Sequence, residues 1–96
     1  MIEATGISDV SEIKVTTSPN PFRNNIRFTV ISPETGKLRI VIYDLDGVKV
    51  KELEQDVTKR IPATIWFRTE QLRQGLLYYQ VLINNKTITG KIMQVN

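Results

Sequence analysis

The chain has 96 residues, enough for one domain with a modest core and too few for two. A hydrophobic share of 41% with seven aromatics (one Trp, three Tyr, three Phe) fits a globular protein and not a disordered one. The net charge of +3, from 13 Lys and Arg against 10 Asp and Glu, is scattered, unlike the dense, aromatic-interleaved patch of a nucleic-acid surface, so no nucleic-acid partner is expected. The absence of Cys and His excludes disulfides, thiolate zinc sites, Ser-His-Asp triads and His metal ligands together. No apolar run approaches the roughly 20 residues that cross a bilayer, so direct membrane insertion is not expected. Met1 to Val10 lacks the basic start and apolar centre of a signal peptide, so an exported form would be part of something longer.

In chain order, Met1 to Glu12 is small and polar without sustained periodicity and reads as a linker or expression remnant; the domain then spans 13–96. Ile13 to Thr17 alternates and is β-branched, which predicts a first strand. Pro19 and Pro21 stop it, since each fixes φ and removes a ladder donor; Ser18 to Phe22 is therefore a rigid, non-helical corner. Ile26, Phe28 and Val30 share one face of a second strand. Pro33 to Gly36 is a turn.

The stretch LRIVIYDLDGVKV, Leu38 to Val50, organises the rest. Leu38, Ile40 and Ile42 alternate with Arg39, Val41 and Tyr43, the period of a half-buried strand. Asp46-Gly47 between two alternating runs is a strong hairpin signal, because Gly47 takes positive φ without a Cβ clash. The hairpin is expected to end near Leu53, with a polar connection from Glu54 to Arg60.

Ala63 to Phe67 is predicted as a further strand, with Trp66 at the centre of the core. Thr69 to Gly75 reads as a connection holding one helical turn closed by Gly75. Leu76 to Ile83 is the longest apolar run and strand-like. Asn84-Asn85 makes a tight turn, since Asn tolerates left-handed backbone. Lys86 to Val95 closes the domain, its apolar set being Ile88, Ile92, Met93 and Val95. About seven strands at short spacing, without a convincing helix, predict an all-β, immunoglobulin-like antiparallel sandwich lacking the antibody cysteine pair.

The search for chemistry is short. Asp44-Leu45-Asp46-Gly47 has the opening of a calcium loop but not its third acidic position or distal Glu, and a hairpin turn explains it. Ser11-x-x-Lys14 lacks every partner motif of serine acyl enzymes. Asn85-Lys86-Thr87 fits a glycosylation acceptor, yet Asn at a tight turn needs no sugar. Glu52, Glu54 and Asp56 cluster in a polar connection rather than facing one cleft. No catalytic residue, cofactor or metal site is assigned, and an enzyme is not expected.

Several motifs nonetheless occur together in order: Pro19-Asn20-Pro21-Phe22 after a short strand, then IYDLDGVKV, Trp66, Leu72-x-x-Gly75 leading to Tyr79, and Gly90-Lys91. From about Ile13 to Asn96 the chain resembles the type A C-terminal sorting domain of the type IX secretion system of Bacteroidota. It departs from that pattern at Leu77, where the family's first tail Tyr usually stands, and at Asn84-Asn85-Lys86, where Asn-Gly-Lys is common.

The resemblance implies a C-terminal sorting signal on a secreted cargo protein, passing from the periplasm through an outer-membrane translocon to the cell surface or the medium. It implies a cargo domain preceding Met1, and removal of the signal by a sortase-like peptidase that cuts within Met1 to Glu12. Its recognition candidates are Pro19, Asn20, Pro21, Phe22, Asp44, Gly47, Gly75, Tyr79, Gly90 and Lys91. A folded module can be read by strand addition at an edge or through a rigid turn, and an uncapped edge would also permit a homodimer. Two other readings stand beside it. One is an accessory immunoglobulin-like module holding carbohydrate or protein through Trp66, Phe67 and Tyr78; the other is a structural domain of the flagellar hook-cap type, with an assembly partner.

Overall fold

The computed structural model describes residues 12–68 and 75–95. Their seven strands are β1 (Lys14–Ser18), β2 (Asn25–Ile31), β3 (Gly36–Tyr43), β4 (Lys49–Val57), β5 (Ala63–Arg68), β6 (Gly75–Ile83) and β7 (Lys86–Gln94). Two antiparallel sheets form a sandwich, β1-β2-β5 on one side and β4-β3-β6-β7 on the other. The immunoglobulin-like expectation holds. In the constant-type order the fourth strand pairs with the fifth; here β4 stays beside β3.

Alternation decides which face each strand buries. Ile26, Phe28 and Val30 of β2 meet Leu38, Ile40 and Ile42 of β3, with Ile65, Phe67, Leu77, Val81 and Ile83 completing the layer. Phe28 is its aromatic hub, edge-on to Phe67 at 5.4 Å and to Tyr79 at 5.1 Å. Val41 is also buried but stands apart from this cluster. It lies on the outer face of its sheet, between Glu52 of β4 and Gln80 of β6.

Two expectations need correction, the place of Trp66 and the extent of β4. Trp66 is not the core centre: it is 58% exposed. Neighbours in a strand face opposite ways, and Ile65 and Phe67 hold the inward positions of β5. In β7 the inward residues are Ile88, Ile92 and a polar one, Gln94, while Met93 and Val95 turn outward. The polar stretch after Leu53 is not a connection up to Arg60, because β4 runs on to Val57. Glu52, Glu54 and Asp56 occupy alternate positions there, opposite Val41, Arg39 and Lys37. Arg39 lies 3.3 Å from Glu52, and Lys49 bonds Glu52 at 2.6 Å. The Lys49 bond is the main cause holding the Glu52 carboxyl below the usual carboxylate range.

The expected linker, apart from Glu12, and the connection 69–74 lie outside the described residues. The connections β2–β3 and β4–β5 meet at one end of the sandwich, where Arg60 N–H donates to Ser32 O at 2.9 Å and Lys59 N–H to Thr35 Oγ1 at 2.9 Å. The Asn84-Asn85 turn is at that end too: Asn84 has φ +53 and its amide donates to Glu34. The opposite end is left to the motifs.

Candidate functional site

The register gathers the candidate residues at that opposite end. Tyr43, Tyr78 and Lys91 lie in one row across β3, β6 and β7. Beyond the row come the β3–β4 tip, the start of β6 with Gly75, and the end of β7.

At the tip, the Asp44 carboxylate accepts from Asp46 N–H at 2.9 Å and Val48 N–H at 3.0 Å, while Asp44 O accepts from Gly47 N–H at 3.0 Å. Gly47 sits at φ +83, as the Asp-Gly signal predicts. Asp44 is thus a buried turn clamp, and Leu45 and Val48 are held out in solvent above it.

The proline corner is bound to the last strand. Both Ser18–Pro19 and Asn20–Pro21 are cis. Pro19, Asn20 and Pro21 are exposed, whereas Phe22 is fully buried. Phe22 N–H donates to Met93 O at 2.9 Å and Val95 N–H to Phe22 O at 2.8 Å, a parallel bridge centred on Gln94. Asn20 Oδ1 accepts from Met93 N–H at 3.0 Å, and the Gln94 side-chain amide donates to Arg23 O at 2.7 Å. Gly75, with φ +112, pairs with Gln94 from the other side. Corner, β6 start and β7 end are therefore one hydrogen-bonded unit.

This bridge also fixes which groups of β7 point away from β6. Residues 93 and 95 bond outward, so by alternation Thr87, Thr89 and Lys91 turn their backbone N–H and C=O groups away from β6, to the outer edge of the sheet. Among the described residues, the corner caps the last part of that edge.

Tyr79 and Gly90 form a second pair. They are opposite in register, and a Cβ on Gly90 would lie 2.3 Å from the Tyr79 ring. The ring thus crosses β7 where only Gly leaves space, and reaches Phe28. Burial pushes the Tyr79 phenol above its ordinary value. Leu77, the departure from the tail pattern, is buried in the core and so sits at a packing position.

Sequence reasoning missed Arg23, Met93 and Gln94 as partners of the corner. The available signal was Gln94 itself, a polar residue two places after inward Ile92. The proposed carbohydrate platform is not assembled: Trp66 faces out from the three-stranded sheet, Phe67 lies in the core, and Tyr78 faces out from the four-stranded sheet. Among the described residues, no three His, Cys, Asp or Glu side chains gather as metal ligands would.

Comparison with known proteins agrees with the motifs. None of the curated proteins compared with the chain matches it. The family profile described as secretion system C-terminal sorting domain matches residues 17–96, which takes in the proline corner and every strand from β2 to β7. The chain belongs to that family, a family of sorting signals for type IX secretion rather than an enzyme family.

Proposed function

We propose that the secretion machinery reads this domain at the seam between the proline corner and β7, together with the open edge of β7. A sorting domain of this family marks a secreted protein that ends on the cell surface or outside, joined to a larger cargo. In the finer reading, an outer-membrane translocon takes the domain from the periplasm, and a sortase-like peptidase then cuts within residues 1–12, ahead of the domain at 13–96.

The observation that carries this reading is the parallel bridge of Phe22 to Met93 and Val95. It places a rigid turn beside backbone donors and acceptors that pair with no strand among the described residues, the two features through which a folded module is read without titratable chemistry. Pro19, Asn20, Pro21 and Lys91 offer exposed surface, while Phe22, Asp44, Gly47, Gly75, Tyr79 and Gly90 hold that surface in shape.

The test is export of a fluorescent protein carrying an export signal and fused ahead of residues 1–96, in a Bacteroidota strain with an intact type IX system. The fusion is expected on the cell surface or in the medium, and unfused protein in the periplasm. A folded fusion that stays in the periplasm would refute the reading.

A further inference from the structure

We propose that the outer face of the three-stranded sheet binds an anionic polysaccharide, with Trp66 as stacking surface and Arg27 as anchor for the acid groups. The alternation that removes Trp66 from the core lays it on this face. Register puts Arg27 directly opposite it, with the guanidinium 5.8 Å from the ring centre. A cation is thereby held over one face of an exposed indole.

The rest of the face has matching chemistry. Lys14 and Arg68 are its other charged residues, and no outward position of β1, β2 or β5 is acidic. Thr16, Thr29 and Thr64 line up in the adjacent row and add hydroxyl groups. An acidic pyranose presents the complement: an apolar C–H face for the indole, hydroxyls for the threonines, and a carboxylate or phosphate for guanidinium.

Size and composition separate this ligand from other anions. Three strands about 4.8 Å apart, of five, seven and six residues about 3.3 Å apart, give a face on the order of 300 Å². A stable protein interface needs about 800 Å² per partner. Single-stranded nucleic acid requires several aromatics for successive bases, and this face has one. A run of two or three sugar rings fits it.

Trp66 is the only Trp of the chain, so its emission reports on the face directly. The full chain would be titrated with hexagalacturonate, and in parallel with maltohexaose, hexaglutamate and a dT hexamer. Only hexagalacturonate is expected to shift the emission, and added salt should weaken its binding. Arg27→Glu should weaken it about tenfold or more, as loss of a charge-assisted contact does, whereas Lys51→Glu on the other sheet should not. Trp66→Ala, read by calorimetry, should lose binding while melting as the parent does, because the side chain is exposed. Equal response to maltohexaose would overturn the role of charge, and equal response to hexaglutamate or the dT hexamer would overturn the saccharide. No response to hexagalacturonate, or unchanged affinity in Arg27→Glu, would overturn the site.

Discussion

At the scale of residues, the Gly90–Tyr79 pair shows how one missing side chain shapes the recognition end. Gly90→Ala would place a methyl group 2.3 Å from the ring. It should cost about 1–3 kcal/mol, as overpacking does, and lower the melting temperature by several degrees. Adding Gly90→Ala to Tyr79→Ala should cost less than adding it to the parent, a coupling that a double-mutant cycle in urea would read. The raised Tyr79 phenol gives a pH prediction. The folded state favours the neutral ring, so this stability is complete below the unfolded value of about 10 and is lost as pH rises towards the folded value. Tyr79→Phe should remove that part of the alkaline loss, so its urea midpoint should fall less than the parent's between about pH 8 and 11. The letters of this pair are visible in the sequence; the contact is not, because it depends on register between two strands.

At the scale of elements, the corner and β7 depend on each other. Asn20→Ala removes the side-chain acceptor for Met93 N–H. The expected loss is about 1 kcal/mol, seen as a lower urea midpoint, with faster amide exchange at Met93 than at Ile92. Phe22→Ala empties a fully buried position and should cost about 3–5 kcal/mol. Strand positions were legible from alternation and turn residues, and Asp46-Gly47 and Asn84-Asn85 appear as turns where expected. Strand phase was not legible where two large apolar residues adjoin. Trp66-Phe67 and Ile92-Met93 each fit either face, and neighbouring register decides between them: Ile26 and Phe28 sit opposite Phe67 and Ile65, and Leu77 sits opposite Ile92. The length of β4 was hidden because charged alternation along an outer sheet face resembles a polar loop.

At the scale of the whole molecule, the sandwich has one end tied by the β2–β3 and β4–β5 connections and another that holds the proline corner, the Asp44–Val48 turn and the end of the final strand. The family motifs, far apart in sequence, meet at that second end. Proline content and the hairpin made this end visible in the sequence. The bridge to Met93 and Val95 could not be read there, since backbone pairing across 71 or more residues leaves no local pattern. The edge of β7 offers the sharpest test. Thr89→Pro removes an N–H that faces away from β6, so it deletes an edge donor and obstructs an added strand without breaking the β6–β7 ladder. The measurement is the secreted fraction of the Thr89→Pro fusion beside the parent, with cooperative melting of each domain checked in parallel. The account predicts that the variant domain stays folded and its cargo accumulates in the periplasm. Export of the folded variant at the parent's level would contradict it.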